Sequence, residues 1–338
     1  MWRFKKKGFF ATAQLRRRIQ RYLCQHCGRS FSSQTFRPDY WLRRGELLPR
    51  VFHRSLGCSA LRQIAREFGV AHSTIQRHLE RLGRHCLLFH ERLRPRAPAE
   101  PLVLDGFRTL ESGHYWPFDL NLLVGPSHYI YAFNDAELRR SGSMRPGQRR
   151  HRARLEARFG RPDPQATRKA VAELVGRVVP PDHAVELFSD EHTGYPQALE
   201  RLPRRWIQHR TTSSKVARTS RNPLFPVNLA DLLLRHCGAN HKRETIAFSK
   251  RRQAALYRAA IFVVWRNYIK PVSENRRTPP PGVTLGTLEA PIDVDGLLAK
   301  RLFPWRQSLR GWLRRCYFSE IRTRCLAKNR VHGLAYAV

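Results

Sequence analysis

Between Pro101 and Arg210 the apolar pattern changes period several times, and that succession restricts the fold more than any other stretch. Leu102-Val103-Leu104-Asp105 is a short apolar run closed by an aspartate, the pattern of a buried strand. Residues 119–124 and 129–133 read as two further strands, joined as a hairpin through Gly125-Pro126-Ser127-His128. A basic insertion over roughly 138–162 follows. Residues 165–178 have helical spacing, with Ala166, Ala170, Leu174 and Val178 on one stripe. Residues 184–189 form a fourth strand that delivers Asp190. Residues 195–202 then read as helix, 205–210 as strand, and a long helix begins at Asn228. Three strands, helix, strand, helix, strand, helix is an α/β order. It leaves Asp105 and Asp190 at the ends of its first and fourth strands.

The 338 residues have room for one sizeable domain of about 150–200 residues with smaller modules around it. Lys and Arg number 63 against 26 Asp and Glu, a formal charge of +37, and the arginines recur along the whole chain. A solubilising surface mixes both signs, so the imbalance points to a polyanionic partner, nucleic acid. The strongest apolar run, Ile261-Phe262-Val263-Val264-Trp265, is bracketed by Arg258 and Arg266, too short to span a bilayer. No secretory signal is visible, since Gly8-Phe9-Phe10-Ala11 is too short an apolar region. A cytoplasmic, nucleoid-associated protein without a membrane partner is expected. Seven scattered cysteines, an odd number, argue against a disulfide framework.

Upstream, Cys24-Gln25-His26-Cys27-Gly28 is a knuckle that sets two thiolates on a tight turn, half of what a structural zinc requires. His53 and Cys58 are candidates to complete such a site. Over 56–92, Leu61, Ile64, Ala65 and Phe68 have helical spacing, Gly69-Val70-Ala71 interrupts, and Ile75, Leu79 and Leu82 resume the period. That is a helix-turn-helix, with Ser73, Thr74, Gln76, Arg77 and Arg81 available to a DNA groove. Residues 95–101 are a Pro-rich linker. From about 271 a Pro-rich break, Thr278-Pro279-Pro280-Pro281-Gly282, leads into a basic and aromatic C-terminal piece.

The segment at 228–250, NLADLLLRHCGANHKRETIAFSK, resembles the last catalytic helix of DDE-type insertion-sequence transposases. These carry E-x-x-N-x-x-x-R and, after a short basic stretch, R-x-T-x-x-F-S-K. Arg235, Arg243, Thr245, Phe248, Ser249 and Lys250 fall in that register, and the family's glutamate falls on Asn228. The family often opens with a zinc ribbon whose second half reads R-Y-x-C-x-x-C-G-x-x-F, matched by Arg21, Tyr22, Cys24, Cys27, Gly28 and Phe31. Its partner knuckle is expected upstream, where this chain has no cysteine before Cys24. The resemblance implies an RNase H-like mixed sheet with helices on both faces, preceded by a zinc-ribbon remnant and a helix-turn-helix. The expected division is 1–50 half zinc ribbon, 51–94 helix-turn-helix, 95–101 linker, 102–270 catalytic domain and 271–338 appendage.

Such an enzyme cleaves and joins DNA with Mg²⁺ or Mn²⁺, which prefer carboxylate oxygens. Asp105 and Asp190 are the expected metal ligands, and Asp119 is a competing candidate. For the third position Asp231 and Asn228, three apart on one helical face, are taken jointly, with Asp231 as the carboxylate. Some related families use asparagine at this position. Arg235, Lys242, Arg243, Lys250, Arg251 and Arg252 are read as phosphate contacts. The expected function is that of a transposase working on double-stranded DNA as a homo-oligomer, with Cys24 and Cys27 binding zinc weakly or only as a dimer sharing two knuckles. The alternative is an inactive descendant that only binds DNA.

Overall fold

In a computed structural model the chain is described over residues 3–12, 15–213, 215–334 and 336–338. Strands β1 (Phe4–Thr12), β2 (Leu15–Cys24) and β3 (Ser30–Ser32) form a three-stranded antiparallel sheet in that order. The knuckle is the turn between β2 and β3. Gly28 takes φ +66°, which a side chain would resist, and its N–H closes on the Cys24 carbonyl at 3.0 Å.

Helices α1 (Leu48–Leu56), α2 (Leu61–Glu67) and α3 (His72–Leu93) follow. Gly69, at φ +60°, makes the turn between α2 and α3 where the sequence placed it. The second helix is far longer than that of a compact helix-turn-helix. The apolar period set by Ile75, Leu79 and Leu82 continues through Cys86 and Phe89, and all five are buried. This second half packs along α8 (Arg252–Val264), so closely that a Cβ on Gly83 would sit 2.3 Å from Tyr257 Cβ. A single hydrophobic cluster runs from Leu42 to Val338 without a break at 95–101.

The large sheet has the order β6-β5-β4-β7-β8, built from β4 (Leu102–Leu110), β5 (Pro117–Val124), β6 (Ile130–Glu137), β7 (Ala184–Ser189) and β8 (Trp206–Thr211). The β4–β5 and β5–β6 pairs are antiparallel, and β7 and β8 add in parallel. The basic insertion holds α4 (Pro146–Phe159), and α5 (Ala166–Val178) and α6 (Gly194–Leu199) flank β7 in sequence. Directly paired residues of neighbouring strands share a face. Asn121 and Asn134 are such a pair, and Asn134 Nδ2 donates to the Ala170 carbonyl of α5 at 2.6 Å. On the opposite face Phe107 of β4 packs edge-on against His241, just beyond α7 (Phe225–Cys237). The protein is thus a mixed α/β structure with helices on both sides of a mixed five-stranded sheet.

The helix expected to run from Asn228 through the basic motif stops at Cys237. A Cβ on Gly238 would lie 2.9 Å from the Leu234 carbonyl oxygen, so glycine is what lets the chain turn away here. Residues 242–251 form a loop held by its own motif side chains. Thr245 Oγ1 donates to the Ala239 carbonyl at 3.0 Å, and the Ser249 carbonyl receives the Ser112 N–H at 2.8 Å.

Beyond α8 the backbone opens into a π turn, Trp265–Ile269. Its Asn267 side chain exchanges two 2.9 Å hydrogen bonds with the backbone of Ile130, imitating a further strand beside β6. His90 of α3 bonds the Tyr131 carbonyl at 2.9 Å and the Tyr268 hydroxyl at 3.0 Å. The helix-turn-helix is thereby fastened to the edge of the large sheet. Short helices α9 (Pro281–Thr284), α10 (Val294–Ala299) and α11 (Gly311–Tyr317) complete the chain, with the Trp312 and Tyr317 rings buried. The basic and aromatic C-terminal piece is in this part a packed appendage. No helix among the described residues is long and apolar enough to cross a membrane.

Candidate catalytic site and nucleic-acid interface

The parallel register of β4 and β7 pairs Leu104 with Ser189, so Asp105 and Asp190 are the next residues on adjacent strands. Asp105 shares its face of β4 with Phe107 and Thr109, whose hydroxyl bonds His241 Nδ1 at 3.1 Å. That is the face covered by α7, whose Asp231 is largely buried. The Asp231 Oδ1 atom has no hydrogen-bond partner among the described residues. An orphaned carboxylate oxygen in such a place is costly unless it is protonated or meets a cation.

The electrostatics show the same crowding. Burial pushes the Asp105 carboxyl up to about 6, with Asp190 and Asp119 adding to the shift, while the Gly106 N–H and Arg218 oppose it. Burial, and then the Asp105 charge, raise Asp231 well above the usual carboxylate range, against the pull of Arg235 and Arg218. Tyr195 is raised as well, by burial and then by Asp105, Asp190, Asp119 and Asp231. These groups thus lie within one another's fields.

Asp119 is set apart by strand geometry. It pairs with Arg108, on the face of β4 opposite Asp105, and meets the Arg108 guanidinium at 3.3 Å. Asn228 is half-buried one turn before Asp231. As the side chains stand, Asp105 Oδ1 accepts from the Gly106 N–H at 2.7 Å and Asp190 Oδ1 from the His192 N–H at 3.1 Å. Among the described residues no three His, Cys, Asp or Glu side chains are gathered tightly enough to hold an ion. Among the described residues Cys24 and Cys27 belong to no group of three possible metal ligands. Cys58 instead lies beside Cys237, to whose carbonyl its N–H donates at 2.8 Å.

The basic residues divide in a way that composition does not reveal. Arg77 is exposed, Ser73 and Thr74 are half-exposed, and Gln76 is engaged with Glu80 at 2.9 Å. Arg81, expected at the groove, is instead buried; it donates to the Val338 carbonyl at 3.2 Å, and burial, then Arg84, push its pKa down to about 9. Lys242, Arg243 and Lys250 are exposed on the motif loop. Arg235 stacks over Phe107 at 4.3 Å and donates to the His241 carbonyl at 3.2 Å, next to the aspartates. Arg251 is half-buried and reaches the Lys328 carbonyl at 3.5 Å.

Arg252 corrects the sequence reading outright. It is a buried counter-ion for Glu111, Asp135 and Glu137, not a phosphate contact. Sequence reasoning also passed over Tyr195 and Arg218, and the only available signal for either was chain proximity to a candidate element. Compared with protein-family models and with curated proteins, the chain matches none.

Proposed function

We propose that this chain is a DNA transposase of the DDE type, with Asp105, Asp190 and Asp231 as its metal-binding carboxylates. The observation that carries the reading is that Asp105 lies within electrostatic reach of both Asp190 and Asp231. Asp105 within β4 and Asp190 just beyond β7 follow the paired Leu104 and Ser189, and Asp231, with an unsatisfied carboxylate oxygen, lies on the helix across that face of β4. A strand order of β6-β5-β4-β7-β8, with only the first three strands antiparallel, supports an RNase H-like fold. Neighbouring carboxylates, with the proton affinity of Asp105 and Asp231 raised, suit a hard divalent cation, Mg²⁺ or Mn²⁺, which would relieve their repulsion. When bound, such ions activate the attacking water or 3′-hydroxyl and neutralise the leaving oxygen. The chain's own part is to hold the carboxylates on two rigid strands and a helix. Arg235, Lys242, Arg243 and Lys250 line up DNA phosphates beside them.

The partner is double-stranded DNA at element ends and target, engaged by a homo-oligomer in the nucleoid. The test is nicking and strand transfer on DNA carrying the element's ends, with Mg²⁺ or Mn²⁺ present. Binding of those ends without any cleavage would instead identify a DNA-binding descendant, the reading that the neutral Asn228 favours.

Two basic residues separate reading from holding. Arg77→Ala, on the exposed start of α3, is expected to lose about 1–3 kcal/mol of discrimination between element ends and random duplex. Lys250→Ala is expected to weaken all duplexes alike and to shallow the salt dependence by about one unit. Competition binding across a salt series measures both. Equal loss of discrimination from the two variants would remove α3 as the reading helix.

A further inference from the structure

The N-terminal sheet carries a surface that neither the aspartates nor the helix-turn-helix uses. Ten Lys and Arg precede the first acidic residue, Asp39, so this end of the chain has no internal counter-charge. The register of β1 on β2 pairs Phe4 with Cys24, Lys6 with Tyr22 and Phe9 with Gln20. On β2 those partners are two residues apart and share a face, whereas the step from Lys6 to Phe9 is three. The extra residue is a bulge at Gly8, which takes φ +71° and whose carbonyl accepts from Gln20 Nε2 at 2.7 Å. The bulge therefore brings Phe9 to the same side as Phe4 and Lys6; in regular pleating Phe9 would face the other way. Tyr22 pairs in turn with Phe31, and their rings stack at 5.2 Å.

Around Phe9 this face is open, while toward Cys24 it is covered. Phe9 is 58% exposed and Phe4 48%, while Ile19, on the opposite side of β2, is 1% exposed. The Arg18 guanidinium lies over the Phe9 ring at 5.7 Å. Aromatic rings interleaved with cations on an open antiparallel sheet offer π-faces to bases and positive charge to phosphates. A duplex buries its base faces in its own stack and gains nothing from the rings. An unpaired strand gains from both. We infer that the outer face of β1–β2, centred on Phe9, Tyr22, Lys6 and Arg18, binds single-stranded DNA by base stacking.

The test uses the full chain and a labelled thymidine 20-mer, measured beside the same strand in duplex form. Strand and duplex are measured at the same moderate salt concentration, so that phosphate contacts contribute to both. Phe9→Ala is expected to weaken single-strand binding about tenfold and to change duplex binding less than about twofold. Phe9→Trp should retain single-strand affinity, and Lys6→Gln should weaken strand and duplex alike. Phe9 is mostly exposed, so its replacement leaves the sheet folded, which circular dichroism checks. An equal loss for strand and duplex from Phe9→Ala would overturn stacking and leave a plain cationic surface. An unchanged strand affinity would overturn the site. Loss of binding to anionic vesicles with no change for the strand would make this a lipid-facing surface. None of these outcomes depends on metal or on the aspartates.

Discussion

Arg252→Met is expected to lower the stability of the protein by about 3–5 kcal/mol, the cost of breaking a buried ion pair from one side. Arg252 stands at the centre of a closed electrostatic unit. It binds Glu111 at the end of β4, Asp135 of β6 at 3.3 Å and Glu137 of β6 at 3.0 Å. Thr323 Oγ1 donates to Glu111 at 2.7 Å, Trp312 Nε1 to Asp135 at 2.5 Å, and Arg324 pairs with Glu137. The same carboxylates thus bind the first residue of α8 and three residues of the C-terminal piece. Burial works against the Arg252 charge, but Glu111, Asp135 and Glu137 together hold its pKa up.

Removing the guanidinium leaves those acids facing each other in a desolvated place. Urea unfolding at neutral pH measures the loss, with exposed Lys250→Met as a control expected to cost less than about 0.5 kcal/mol. The deficit should shrink as pH falls through the carboxylate range, because a protonated Glu111 no longer needs a counter-charge. Glu111→Met added to Arg252→Met should recover part of it. A loss below about 1 kcal/mol would mean that the network is too hydrated to matter.

The large sheet was legible because each strand is an apolar run with its own boundary. All five strands and α5, α6 and α7 lie where the period changes, within a few residues except at the far ends of β4 and β6. The aspartate pair was legible because each residue closes an apolar run, although β4 continues past Asp105 to Leu110. Burial of individual arginines was not legible. Arg81 and Arg252 look like Arg77 and Arg251 in composition and spacing. What buries the first two is a carbonyl 257 positions away and a carboxylate 141 positions away, and no local pattern encodes either. The length of α3 was legible and passed over, because its apolar period visibly continues to Cys86 and Phe89. Asp119 needed the register, which sets it on the opposite face from Asp105. The attachment of α3 to β6 has a functional consequence under the proposed reading. The helix that reads an element end is continuous with the scaffold that holds the carboxylates, so recognition can set the position of the cleaved bond.

Asp105→Ala and Asp190→Ala are each expected to reduce nicking to background while end binding stays within about twofold, since removing a central metal carboxylate forfeits both positioning and charge stabilisation. Asp231 offers the sharper test, because the site is strained without a cation. Its carboxyl is buried, unsatisfied and raised by Asp105, so Asp231→Asn should stabilise the metal-free protein at neutral pH. The sign follows from linkage. A carboxyl that is raised in the folded state costs stability as pH climbs from the unfolded value through the folded one. With Asp105 at about 6, metal-free wild type should lose stability relative to Asp105→Asn between about pH 4 and 6, by about 3 kcal/mol in all, and the gap should stay constant above that. Mn²⁺ should reverse the penalty in wild type by raising its melting temperature, and should do little for Asp231→Asn.

Activity then decides between the two candidates for the third position. If Asp231 is the working carboxylate, Asp231→Ala abolishes nicking and Asn228→Glu changes it little. If Asn228→Glu instead creates nicking that the parent lacks, the parent is a DNA-binding descendant whose catalytic glutamate has been lost. In that case Asp231 is a buried charge near the old site with no part in the reaction.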